Sequence, residues 1–125
     1  MARAFLAFVA LVFIAYGLAC AWDPTLPARL AGLSILSADG YAEMGAMYGG
    51  LQTGVGLFCL MGVINPHLLR PVLVLLVLSI GPLAAMRGLS ALRADDAIGS
   101  YTYGALIFES LVTAISALLV RRRPT

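Results

Sequence analysis

Three ionisable side chains interrupt apolar stretches of the sequence that are long enough to cross a membrane. They are Glu43, Arg87 and Glu109. A charge at the centre of a bilayer costs about 2.5–3.5 kcal/mol on insertion scales, so such residues usually pair with one another and mark a site. An arginine has a long stem and a forked head, so it can bridge two carboxylates at different depths. We therefore predict a buried Glu–Arg–Glu cluster.

The predicted cluster has two polar neighbours and an unbalanced charge. Tyr48 and Gln52 follow Glu43 along the same apolar stretch and are expected to add hydrogen bonds. Arginine keeps its proton, so two carboxylates leave one negative charge unmatched. The charge count predicts a proton on one carboxylate, with Glu109, the deeper of the two, as its carrier. Two interpretations remain open: an ion pair that fixes helix register, and a site for a polar ligand head or a proton.

The composition is typical of an integral membrane protein. The chain has 125 residues, of which 62% are hydrophobic and 11% are charged. Soluble domains have about 45–50% apolar and about 25% charged residues. A water-soluble fold of this composition would lack the polar side chains to cover its surface, so we predict that the chain lies in a lipid bilayer.

Four apolar stretches position these charged residues. Each is close to or above the roughly 20 residues that span about 30 Å of hydrocarbon. Short connections between helices produce antiparallel neighbours, so we predict an all-α fold, an up-and-down four-helix transmembrane bundle. The whole chain, 1–125, is predicted to form one transmembrane domain. The predicted helices are 4–22, 41–64, 68–92 and 98–120.

The first connection, 23–40, is the longest. Proline cannot continue a helix, so Asp23-Pro24 should end the first span. Thr25 is a possible N-cap, and leucines recur at helical spacing over 26–36. The pattern favours a short amphipathic helix on the outer membrane face. An irregular loop packed over the bundle is the alternative.

The arginines indicate the orientation. Arg3, Arg70 and the terminal triplet 121–123 lie on one predicted side, against Arg29 and Arg93 on the other. Positive charge accumulates on the cytoplasmic side, which predicts that both termini are cytoplasmic in a bacterial inner membrane. The terminal triplet is interpreted as a charged stop after a helix, and no nucleic-acid partner is expected.

Residues for metal or nucleophilic chemistry are sparse. The single histidine, His67, has no second histidine or cysteine near it, and Cys20 and Cys59 do not form a metal-ligating or redox motif. We predict no metal site and no cofactor, and these residues favour a non-enzymatic protein without excluding an enzyme.

Small residues form two rows in the second predicted helix. Such rows let helix backbones approach closely, and close packing drives helix association in lipid. They indicate packing within the monomer or, alternatively, contact with a second copy or a larger membrane complex. The first row is Ala42, Ala46, Gly50 and Gly54; the second is Gly45 and Gly49.

The same segment carries a family resemblance. Glu43–Gln52 has the sequence EMGAMYGGLQ, and Gly54 and Gly56 follow it. This Glu-x-x-x-x-Tyr-Gly-Gly core, together with Asp23-Pro24 and Glu109, resembles a family of small bacterial membrane proteins catalogued only as a domain of unknown function. That family is in turn similar to the broader DoxX-like group of four-helix proteins. The resemblance implies the four-helix topology and no particular reaction.

The chain departs from the family pattern at one position. Members often carry an arginine two residues after the glutamate, where this chain has Gly45. Glu43 therefore lacks a cationic partner in its own helix, which leaves Arg87 as its expected partner.

These observations lead to three functional hypotheses. The first is a non-enzymatic membrane protein, either an interaction or accessory subunit or a small lipophile-binding protein. The alternative is a small proton-coupled carrier, because an intramembrane carboxylate can exchange protons. The third is a membrane enzyme acting on a lipid or quinone, in which Glu43 or Glu109 would have to be the base.

Overall fold

The protein is all-helical over the part of the chain that the structure describes. The computed structural model describes residues 1–122. Within this range there are helices, turns and loops but no strand, and four helices are long and apolar enough to cross a membrane. The predicted all-α class with four membrane-length helices is confirmed. Arg123, the last residue of the arginine triplet, lies outside the described residues.

Two compact units make up the chain, and the boundary falls between Pro66 and His67. The first unit contains α1 (Ala2–Trp22), the short α2 (Thr25–Ala31) and the long α3 (Ala38–Ile64). A 3₁₀ turn, Pro66–Leu68, follows α3.

The second unit is a helical hairpin. It consists of α4 (Leu69–Arg93) and α5 (Ser100–Arg121), joined by the loop 94–99. The four long helices begin and end within about three residues of the predicted limits, because long apolar runs are strong local signals.

The loop before α3 explains why this helix begins earlier than predicted. Ser37 is the N-cap, and its hydroxyl accepts a hydrogen bond of 3.1 Å from the Gly40 amide. Such a bond satisfies one of the amides that a helix start leaves without a partner. The helix therefore starts at Ala38 instead of residue 41.

The first connection is helical only in part. Helix α2 covers Thr25–Ala31 and ends at Gly32, which has a φ of 70°. Glycine adopts this left-handed conformation without steric cost and commonly ends helices. The predicted helix over 26–36 is therefore shorter in the structure. Pro24, not Thr25, is the N-cap.

The helices of the first unit pack backbone against backbone. A methyl group added to Gly17 would lie 2.6 Å from the Thr53 nitrogen, and one on Gly49 would lie 2.9 Å from the Ala21 Cα. A methyl group added to Gly56, farther along α3, would lie 2.8 Å from the Ile14 nitrogen. Later residues of α3 thus meet earlier residues of α1, as expected for antiparallel helices. Only glycine at these positions permits such close contact.

The hairpin of the second unit is held by larger side chains. Leu73, Leu76 and Ile80 of α4 are buried, as are Val112 and Leu119 of α5. The glycines of α4 meet side chains of α5 rather than its backbone. A methyl group at Gly81, for example, would lie 3.2 Å from the Thr113 methyl group.

Candidate functional site

An arginine and a glutamate form a two-point ion pair between the helices of the second unit. Arg87 lies on α4 and Glu109 on α5, and Nε and Nη2 of the arginine each donate a hydrogen bond of 2.8 Å to a carboxylate oxygen. Parallel bonds of this kind are the strongest that arginine makes with a carboxylate, and they fix the relative geometry of both groups. The structure thus brings together two of the three charged residues that the sequence singled out.

The Arg87–Glu109 pair is largely buried. The Glu109 side chain is 9% exposed and that of Arg87 is 23% exposed. The Thr113 hydroxyl donates a 2.8 Å hydrogen bond to the backbone carbonyl of Glu109, one turn away on the same helix. Removing one member of a buried pair leaves an uncompensated charge, so each residue depends strongly on the other.

Both carboxylate oxygens of Glu109 accept hydrogen bonds from the Arg87 guanidinium. The expected proton on Glu109 stays a prediction.

The other predicted cluster residues belong to the first unit. Glu43 is exposed, near the start of α3, whereas Tyr48 and Gln52 are partly buried. The three-charge cluster stays a prediction.

Helix α3 contains a π-helical segment that the sequence did not reveal. This segment, Gly45–Leu51, covers Tyr48 and both glycines of the Tyr-Gly-Gly core. It is continuous with α-helical turns on each side, Ala38–Met44 and Gln52–Ile64. Wide turns of this kind are rare and frequently occur at functional sites.

The π segment keeps the first row of small residues on one side of α3. In an α-helix of 3.6 residues per turn, positions four apart drift by about 40° at each step. A π turn closes i→i+5 bonds and takes up more residues, so it offsets that drift. All members of the first row are consequently exposed. They are Ala42, Ala46, Gly50 and Gly54.

The second row packs inside the first unit. Gly49 is buried against Ala21 of α1, and Gly45 lies against the Pro24 ring. By contrast, methyl groups added to Gly50 or Gly54 would meet no side chain within 4 Å. The first row, which we call the small-residue face, is therefore available to another helix.

An open groove lies at the loop end of the second unit. It has a volume of about 440 Å³ and is formed by α4, the loop 94–99 and α5. Most of its lining is apolar, with Asp96 as the one charged residue. The lining residues are Gly88, Ala91, Leu92, Asp96, Ala97, Ile98, Tyr103 and Leu106.

A polar network joins the end of α1 to α2. Asp23 accepts bonds from the Thr25 hydroxyl at 2.6 Å and from Arg29 at 2.8 Å, and Arg29 also donates to the Thr25 hydroxyl. These bonds, that from Thr25 first, hold the pKa of the Asp23 carboxyl below its ordinary value. The network shows how the predicted helix stop at Asp23-Pro24 is stabilised.

Metal-ligating residues are scattered. Across the described residues, no group of three or more His, Cys, Asp or Glu side chains could hold a metal ion. Cys20 and Cys59 are buried free thiols. Neither finding provides a site for redox or metal chemistry.

The fold defines the chain as a polytopic helical protein of the membrane class. The support is that four of its helices are long and apolar enough to cross a membrane. The particular family follows from sequence comparison: the chain belongs to the family described as Domain of unknown function (DUF4345), which matches residues 1–120. No curated protein and no solved structure shows significant similarity to the chain.

Sequence reasoning singled out Gly49 but missed the other residues that bring α1 and α3 together. Gly17, Thr53 and Gly56 also make close contacts, yet only Gly56 attracted notice, as part of the family motif. A signal was present, since Gly49 and Gly56 are seven residues apart and therefore share a helix face. The groove had no sequence signal, because it depends on the conformation of the loop 94–99.

Proposed function

We propose that this chain is a non-enzymatic membrane protein that acts as an interaction or accessory subunit. Its small-residue face would bind another transmembrane helix, either in a second copy of the chain or in a larger membrane complex. The observation that carries the proposal is the exposure of all four small residues on one helix. Flat faces of this type favour helix association because neighbouring backbones can approach closely in lipid.

The contrast with the second row supports this assignment. Gly49 lies against Ala21 of α1 and Gly45 against the Pro24 ring, whereas Gly50 and Gly54 have open space around them. Glycine in a helix interior costs about 1 kcal/mol relative to alanine. Two exposed glycines in one helix therefore need a reason outside the unit, and a close helix partner supplies one.

The proposal includes a location and an orientation. We place the chain in a bacterial inner membrane with both termini in the cytoplasm. The support is the distribution of arginine, with Arg3, Arg70, Arg121 and Arg122 on the proposed cytoplasmic side.

The role proposed for the Arg87–Glu109 pair is structural. A two-point bond of this geometry fixes the register of α4 against α5 and satisfies the carboxylate fully. The proton-coupled carrier remains an alternative hypothesis, in which an intramembrane carboxylate, Glu43 or Glu109, would exchange protons. Binding of a lipophile at the cluster and lipid or quinone chemistry remain hypotheses without a specific contact in their favour.

Photo-crosslinking in membranes tests the interaction. A photo-crosslinking residue at position 46 should yield a discrete adduct with a second copy or with another membrane protein. The matched control is position 107 on α5, where Ile107 is also exposed. Equal crosslinking from the two positions would refute the proposal.

Substitution of the face provides the second test. The double variant G50L/G54L should abolish the adduct from position 46, because two leucines keep a partner backbone at a distance. The control is G104L, since Gly104 lies in α5 with open space around it. Loss of the adduct in both variants would indicate a general effect of bulk and contradict a specific face.

A further inference from the structure

The groove at the loop end of α4 and α5 has an amphipathic lining. Its apolar part is formed by helix residues such as Gly88, Ala91 and Leu106, and its charged residue, Asp96, lies in the loop. Ligand pockets usually have volumes of about 300–1,000 Å³, with a few polar groups that orient the ligand. A groove of about 440 Å³ falls in this range.

The order of these residues along the helices matches the shape of an amphiphile. Gly88 and Leu106 lie in helices long enough to cross a membrane, whereas Asp96 lies in the connecting loop. An apolar tail beside the helices would therefore place its polar head beside the loop. A carboxylate attracts a cationic head, and Tyr103, which also lines the groove, can add a cation–π contribution.

We propose that this groove binds an amphiphile with an ammonium head, with Asp96 as the counter-ion and the helix residues as the tail site. The assignment rests on charge complementarity, because the only charged side chain in the lining is anionic. It is independent of the small-residue face, which belongs to α3.

Photolabelling of the full-length protein in nanodiscs of phosphatidylglycerol, which lacks an ammonium group, tests the proposal. The probes are hexadecyltrimethylammonium and hexadecanol, each with a diazirine in its chain. Peptide mapping should locate the ammonium adducts between residues 88 and 106. Adducts spread evenly over all four long helices would overturn the proposal.

Two neighbouring aspartates provide a matched comparison. D96N should reduce ammonium labelling about threefold, the size expected for one exposed charge pair. D95N should leave it unchanged, because Asp95 does not line the groove. An equal loss in both variants would show attraction to general surface charge and refute the site. Hexadecanol labelling should not respond to either change.

Filling the groove tests the tail site. A91F should remove labelling by both probes, whereas L111F, on an exposed position of α5, should not. Unchanged labelling in a folded A91F protein would overturn the proposal. If added phosphatidylethanolamine reduces labelling by the ammonium probe, the ligand is a bilayer aminolipid. If labelling is unchanged by this lipid, the ligand is a foreign cationic amphiphile.

Discussion

The two helix pairs of this protein are held together by different means. In the first unit, α1 and α3 meet through glycines, and their backbones approach within distances that exclude a single added methyl group. In the second, α4 and α5 are joined by the Arg87–Glu109 ion pair and by larger apolar side chains. The contact between α1 and α3 depends on the small size of glycine, and that between α4 and α5 depends on paired charges.

The difference matters because the hydrophobic effect does not distinguish a helix from lipid. Association within a bilayer depends on close packing and on polar contacts, and each pair of helices relies mainly on one of the two. Close packing tolerates no added volume, whereas an ion pair tolerates no loss of a partner. The two units should therefore fail under different substitutions.

The largest effect is expected from breaking the ion pair. R87L leaves the Glu109 carboxylate buried without its partner, which typically costs about 3–5 kcal/mol. We expect a clear fall in the thermal unfolding midpoint of the purified protein in detergent. R93L, which changes an exposed arginine of the same helix, should have little effect.

The double variant R87L/E109L sharpens this test. Replacing both charges by apolar groups removes the unpaired carboxylate, so stability should recover in part. A double variant as unstable as R87L would show that the arginine acts through its other contacts and not through Glu109.

The next largest effect concerns the close contacts of the first unit. G56A places a methyl group 2.8 Å from the Ile14 nitrogen, so the helices must separate. Overpacking of this kind usually costs about 1–3 kcal/mol. Chemical denaturation in detergent should detect it, with G54A, in open space on the same helix, unchanged or slightly more stable.

A smaller effect is expected from the matching change in the second unit. In G81A the added methyl group would lie 3.2 Å from the Thr113 methyl group. This neighbour is a side chain, which can shift where a backbone cannot. We expect a loss of less than about 1 kcal/mol, below the range for overpacked cores. A G81A loss equal to that of G56A would remove the distinction between the two helix pairs.

The smallest effect lies outside both helix contacts. Asp23 has a lowered pKa, so its bonds stabilise the fold above its ordinary pKa and are lost as the pH falls through the lowered value. T25V and R29Q should each raise the Asp23 pKa toward its ordinary value, because the Thr25 hydroxyl and Arg29 both lower it. NMR titration of the carboxyl carbon measures both shifts.

Local composition was sufficient to predict the four long helices, and counting depth along them indicated that Arg87 and Glu109 could meet. The sequence could not show which row of small residues faces α1, because spacing gives a face but not its neighbour. It also could not reveal the π segment, since i→i+5 bonding differs from α-helix bonding by a small local change.

The π segment also sets the relative direction of the two halves of α3. A π turn takes up about one residue more than an α turn, so ordinary α-helix over the same Gly45–Leu51 residues would rotate everything beyond it by about 100°. Gly56 would then leave α1, or Ala42 and Ala46 would leave the exposed face. Most substitutions in this stretch change single contacts, whereas loss of the π turn would change the direction of half a helix. The hydrogen-bond pattern here is thus as much a structural requirement as the identity of the residues.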